Sequence, residues 1–151
     1  MKKSTVKKLW ITILILAIFG GLVGTGVYIY VYYKPHKNYE RARSEVKLNA
    51  ENLFTDYAND QSRSDQKYLD KVIEIEGNIT DVEQADSLVI IVFAYRKGDF
   101  GDEGIRVTML PHYNSIAQRL APHQFVSLKG HCTGYNGTDV IIESGSILNA
   151  H

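Results

Sequence analysis

Residues Val72 to Val82 read Val-Ile-Glu-Ile-Glu-Gly-Asn-Ile-Thr-Asp-Val, and their alternation decides how the rest of the chain is read. Ile73, Ile75 and Ile79 fall on one face of an extended chain, with Glu74, Glu76, Asn78 and Thr80 on the other, the pattern of a half-buried strand. Gly77 sits at an inward position, where a Cβ would crowd a sharp bend. After Ile79 the parity slips, because the next apolar residue is Val82. A glycine followed by a parity slip predicts a strand that coils or bulges and serves two sheets, as a small closed barrel requires.

Towards the C-terminus, Leu88 to Tyr95 predicts a second strand that is apolar on both faces, so both faces must be covered. The expected cover is the barrel core on one side and a preceding helix on the other. Lys97 to Gly104 reads as a loop rich in Gly, Asp and Glu. Its Asp99, Asp102 and Glu103 lack the spacing of a helix–loop–helix calcium site. Ile105, Val107 and Met109 alternate with Arg106 and Thr108, giving a third strand. Tyr113, Ile116, Ala117 and Leu120 then sit at helical spacing between Pro111 and Pro122. Phe125 to Tyr135 gives a fourth strand, Asn136-Gly137 a turn, and Val140 onwards a fifth strand running towards Leu148.

Five strands with a short helix between the third and fourth describe an OB-fold, a mainly β, partly open Greek-key barrel. Before it, Asn49 caps a predicted helix over 50–59 whose Ala50, Leu53, Phe54 and Tyr57 share a face, and 60–66 reads as a polar loop.

The N-terminal third has another character. Residues 1–8 form a basic tail with Lys2, Lys3, Lys7 and Lys8. Residues 9–33 carry no charged side chain over 25 positions. A helix of that length rises about 37 Å, enough to cross a ~30 Å hydrocarbon core. Trp10 at one end and Tyr28, Tyr30, Tyr32 and Tyr33 at the other suit the two bilayer interfaces. The expectation is a single-pass transmembrane anchor. A cleaved signal peptide shares the basic start, but the apolar run is too long and Gly24-Thr25-Gly26 is a poor cleavage site. Gly20 and Gly24 form a small-xxx-small pair that would let two such helices dimerise; an unpartnered glycine-rich helix is the other reading. Residues 34–48 read as a polar linker and 49–151 as the OB domain. The four lysines before the span favour an N-terminus inside a bacterial cytoplasmic membrane and an OB domain on its outer, periplasmic or extracellular side. Lys34, Lys37, Arg41, Arg43 and Lys47 weigh the other way, so the orientation rests on the short tail.

The formal charge of zero conceals a division: residues 1–43 hold eight Lys/Arg against one acid, a net of +7, and residues 44–151 hold nine against sixteen, a net of −7. Nucleic-acid binders usually show a basic footprint. The single cysteine, Cys132, offers no intramolecular disulfide.

Lys67 to Gly77 resembles the opening strand of the bacterial tRNA-anti-like OB-fold proteins, and Val126 to Tyr135 with Asp139 to Ile142 resembles their closing hairpin. The resemblance covers roughly 49–148, and Lys129-Gly130-His131-Cys132-Thr133-Gly134 is its most specific run. The chain departs from the family pattern at Ala121-Pro122-His123-Gln124, where a glycine is usual. The resemblance implies nucleic-acid binding by analogy of fold, without ligand or catalytic residues to carry over.

On chemistry, an OB-fold that binds single strands joins a basic groove to aromatic platforms. The candidate ligand-binding residues are Tyr95, Arg96, Lys97, Arg106, Lys129 and Tyr135, with Phe100 and Tyr113 as further platforms. The acidic domain disfavours nucleic acid as partner. His112, His123, His131 and Cys132 show no metal-ligand spacing, and His131 and Cys132 face opposite sides of their strand. Ser127, Ser144 and Ser146 lack a nucleophile elbow, and Glu74 and Glu76 read as the wet side of a strand. No catalytic, metal or cofactor site is expected. The expected function is a membrane-tethered, non-catalytic binding module for a protein, peptide or small ligand, with single-stranded nucleic-acid binding as the alternative.

Overall fold

The computed structural model describes Trp10, Gly20, Gly21, Val23–Gly26, Tyr28, 39–99 and 101–150. The chain divides into two compact units, Met1–Lys37 and Asn38–His151. In the first, the few described positions are helical. Among the described residues no helix is long and apolar enough to cross a membrane. The span expected over 9–33 falls largely outside them.

The second unit is a mainly β fold with seven strands, not five. In chain order they are β1 (Val46–Asn49), β2 (Val72–Asn78), β3 (Asp81–Ala85), β4 (Leu88–Gly98), β5 (Gly101–Met109), β6 (Phe125–Tyr135) and β7 (Val140–Ala150). Helices α1 (Ala50–Asn59) and α2 (Gln61–Tyr68) precede β2, and a 3-10 turn, Pro111–Tyr113, leads into α3 (Asn114–Ala117). The sheet order is β1-β2-β6-β7-β5-β4-β3. All neighbours are antiparallel except β1 with β2 and β5 with β7.

Two differences account for the strand count. The strand expected over 72–82 is broken into β2 and β3, which stand near opposite ends of the sheet with only Ile79 and Thr80 between them. Ile79 still bonds to the β6 side, its N–H donating to the Gln124 carbonyl, while the Thr80 N–H donates to Val92 of β4. One strand therefore serves both ends, as the parity slip predicts, but the switch falls at Ile79–Thr80. Gly77 is not at a bend: it pairs in register with Val126 and lies outside the positive-φ positions. The second difference is β1, in the stretch expected to be linker.

The sheet is open, with no pairing that closes it among the described residues, and its core is filled by Ile73, Ile75, Ile79, Val89, Ile91, Phe93, Ile105, Val107, Leu128 and Ile142, each no more than 1% exposed. Helix α1 forms as its cap and periodicity dictate: Asn49 accepts from the Glu51 N–H, and Ala50, Leu53, Phe54 and Tyr57 are buried. Its buried face joins the core of the sheet, where Tyr57 meets the rings of Tyr68 and Tyr135 and its hydroxyl lies 3.6 Å from the Cys132 sulfur. Cys132 is fully buried in the core, and that burial pushes its thiol up. The polar loop expected at 60–66 is mostly α2, capped by Asp60, whose side chain accepts from Arg63 N–H.

Residues 39–45 run along the sheet ahead of β1. Tyr39 stacks on His131 at 4.3 Å. The Glu40 side chain meets His112 and Tyr113 at 3.2 and 3.1 Å, and the Glu45 N–H donates to Val72. Exposure alternates from Glu40 to Asn49, as it does in a strand with one covered face.

Candidate nucleic-acid interface

In an OB-fold the usual ligand face is the outer side of the second and third strands with the loops beside them. Here those strands are β4 and β5, flanked by β3 and β7. On β5 the inward residues Ile105, Val107 and Met109 are buried, so Arg106 projects outward by alternation. It stands opposite Val92 on β4 and Ile141 on β7.

Arg106 Nε donates to Asp139 Oδ2 at 3.0 Å and Nη1 donates to Glu83 Oε2 at 2.6 Å. Asp139 lies just before β7, and Glu83 lies on β3 opposite Ile90. To join them, the side chain must cross β4 over Val92 and Ile90. That explains why Val92, on the outward face, is only 5% exposed. The cover for this face is an arginine and its carboxylates, not the preceding helix. Leu88, beyond its reach, is exposed. The Glu83 carboxylate, then Asp139, hold the Arg106 pKa above its ordinary value. Asp139 is itself anchored: its Oδ1 accepts from the buried Gly104 N–H at 3.0 Å, and its own N–H donates to Asn136 Oδ1.

The other sequence candidates are dispersed. At β4 a bulge falls between Ala94 and Arg96, because Ala94 pairs with Gly104 and Arg96 with Glu103. Tyr95 is the extra residue and packs on Phe54 of α1 at 5.8 Å. Arg96 binds Glu103, with Nε 2.6 Å from Oε2, and lies over the Phe54 ring. Lys97 sits opposite Asp102 in the same hairpin. The expected loop over 97–104 is mainly the arms of this hairpin, held by cross-strand charges. Lys129 is on β6, two strands away from β5, and its ammonium donates to the carbonyls of Glu40 at 2.6 Å and Ala42 at 3.1 Å. Tyr135 closes the β6–β7 turn, its hydroxyl donating to the Gly137 carbonyl. Tyr113 is tied to Glu40, and Phe100 lies outside the described residues. The structure brings Arg96, Lys97 and Tyr95 to one hairpin with the Tyr135 side chain beside Arg96, places Arg106 on the central face, and removes Lys129 from it. Glu83 and Asp139 were missed as partners. Their link to Arg106 spans four strands and has no local sequence signal.

The family described as tRNA_anti-like matches residues 1–146. The chain belongs to that family. The match reaches further towards the N-terminus than the resemblance over 49–148. The crystal structure of a lipoprotein from Klebsiella pneumoniae, named for a nucleic-acid-binding role, aligns with a TM-score of 0.52 at 11% identity, over 77% of this chain and 100% of that one. The Stn1–Ten1 complex of S. pombe aligns at 0.36, with 16% identity over 52% of this chain and 58% of that one. Asparaginyl-tRNA synthetase from Pyrococcus horikoshii aligns at 0.39, with 13% identity over 56% of this chain and 20% of the enzyme. The first supports an OB-like fold. Comparison with curated proteins finds no match.

Proposed function

We propose that the chain is a membrane-tethered, non-catalytic OB-fold module that binds a protein, peptide or small ligand on the outer side of the bacterial cytoplasmic membrane, in preference to single-stranded nucleic acid. The observation that carries this reading is the Arg106 clasp. On a phosphate-binding face an arginine must offer its guanidinium to a polyanion. Here Glu83 and Asp139 already fill two of its donor directions, and Arg96 is taken by Glu103. An incoming phosphate would have to displace a carboxylate and then meet its repulsion. The serines weighed for chemistry have structural places: Ser127 and Ser146 are buried, and Ser144 sits at φ 55° where the β6–β7 register shifts. Glu74 pairs with Lys47 at 2.8 Å.

The test is a titration of the full chain in zwitterionic lipid nanodiscs with fluorescent single-stranded oligonucleotides at low and moderate salt. No binding at either salt is expected. Micromolar binding that weakens steeply with salt, and that disappears in Arg106→Glu, would overturn the reading in favour of nucleic acid.

A further inference from the structure

Gly77 has no turn, bend or left-handed backbone to explain it, so its reason lies in what surrounds it. A Cβ at Gly77 would stand 3.3 Å from the Tyr95 hydroxyl and 3.4 Å from the Ala50 Cβ. The bare backbone forms part of a half-open surface cavity of about 180 Å³ lined also by Tyr95 and by the exposed Asn49, Glu51, Asn78 and Phe125. This cavity lies where the first turn of α1 crosses β2 beside the bulge of β4, away from the Arg106 clasp.

Its polar groups are unspent. Asn49 uses its Oδ1 to accept from the Glu51 N–H, which leaves its amide NH2 to donate. Among the described residues the Asn78 carboxamide, the Glu51 carboxylate and the Tyr95 hydroxyl make no side-chain hydrogen bond, although Tyr95 lies close enough to feel the Glu51 charge. Phe125 is 39% exposed despite its size and offers a ring face. Burial, and after it the Glu51 charge, hold the Tyr95 hydroxyl protonated by raising its pKa, so it both donates and accepts.

We infer that this cavity is a binding site for a neutral saccharide ring. Three features select that chemistry. No Lys, Arg or His is among the described residues that line it, and Glu51 repels anions, so phosphorylated ligands are disfavoured. The groups mix donors (Asn49, Asn78, Tyr95) with acceptors (Asn78, Tyr95, Glu51), which matches hydroxyls that do both; an alkylammonium would suit Glu51 and the Phe125 ring but leave the donors of Asn49 and Asn78 without an acceptor. An aromatic face gives the apolar side of a ring a surface, as in ligand sites generally. The volume is below the ~300 Å³ at which drug-sized ligands are held, which suits one ring rather than a nucleotide. The glycine is then explained twice over: it lets α1 and Tyr95 approach, and it keeps the cavity open. The inference rests on the reading of the chain as a binding module, but not on its tether or on what the Arg106 face takes.

The experiment is a ¹⁵N–¹H NMR titration of the full chain in lipid nanodiscs, free of sugar-based detergent, with N-acetylglucosamine and glucose, and with inorganic phosphate and choline as comparison probes. Saturable shifts at Glu51, Gly77, Asn78 and Tyr95 are expected with the sugars alone. Asn78→Ala and Tyr95→Phe should each weaken binding about fivefold, the loss of one hydrogen bond, and Phe125→Ala more. Tyr95→Phe keeps the contact with Phe54, so its melting temperature reports whether the fold is intact. Shifts with choline instead of sugar, shifts elsewhere, no shifts, or equal binding by folded variants would each overturn the saccharide site. The oligonucleotide titration tests the module reading separately.

Discussion

Gly104 stands opposite Ala94, beside the one extra residue that β4 carries over β5. A Cβ there would overlap the Phe93 carbonyl oxygen and crowd the Ala94 Cα. Backbone cannot swing aside as a side-chain tip can, so the bulge and the glycine require each other. At Gly77 the obstacles are a tyrosine hydroxyl and a methyl group at 3.3 and 3.4 Å, which yield by a few tenths of an ångström. Gly104→Ala is therefore expected to cost about 3 kcal/mol and Gly77→Ala about 1 kcal/mol or less, read from urea denaturation midpoints. Equal costs would show that both sites relax alike. The sequence alone reads Gly77 as a bend in a strand and Gly104 as the end of a loop. What separates them is the neighbour across the ladder.

Between helices α1 and α2 the corner is held by one carboxylate. Tyr68 Oη donates to Asp56 Oδ2 at 2.7 Å, and Lys67 Nζ reaches the same oxygen at 3.2 Å. The Tyr68 hydrogen bond chiefly holds Asp56 below the usual carboxylate pKa. Burial, with Asp56 behind it, pushes Tyr68 up to about 12. A carboxylate whose pKa is depressed by folding stabilises the fold above its unfolded value, about 3.9 for Asp, and loses that contribution as the pH falls through the folded value. Tyr68→Phe is expected to cost about 1 kcal/mol at pH 7 and progressively less below pH of about 4, by chemical denaturation at each pH. A cost that does not change with pH would remove Asp56 from the account. Helix α2 also marks the limit of what periodicity reveals. Its sequence, Gln-Ser-Arg-Ser-Asp-Gln-Lys-Tyr, buries only Ser64 and Tyr68, so no apolar stripe announces it, whereas α1 with four buried positions is read to its ends. Strand β1 fails for a related reason. Four residues with a burial pattern of alternate partial cover carry little signal, and parallel pairing with β2 needs no adjacent turn. The strands with longer apolar alternation, β2, β5, β6 and β7, and β4 with its run apolar on both faces, are legible because burial itself writes the pattern.

Across the whole molecule, charge and hydropathy divide the chain more sharply than the sheet does. The basic tail followed by 25 uncharged residues motivates the expectation of an uncleaved anchor with the OB domain outside. A reporter fused after His151 that works only outside the cytoplasm is expected to be active in cells, and one that works only inside to be silent. The reverse pair of results would invert the topology. The OB-fold is legible at this scale because a strand shared by both ends of a sheet leaves a parity slip behind. The face is less so. Arg106 projects where alternation says it should, but Tyr95 is the extra residue of a bulge that breaks the alternation before Arg96, and Lys129 is claimed by carbonyls of Glu40 and Ala42, whose sequence positions lie almost ninety residues away.

Because β2 and β3 are two parts of one strand, the order in which the sheet can assemble is constrained. The β3–β4–β5 meander joins near neighbours in sequence, whereas β2 must wait for β6 and β5 for β7. Closing those long loops costs entropy before any contact returns it. A chain emerging N-terminus first thus presents β2 with its β6-facing edge bare, and β5 with its β7-facing edge bare, until residues 125–150 arrive. The last hairpin carries the partners of both edges, β6 for β2 and β7 for β5.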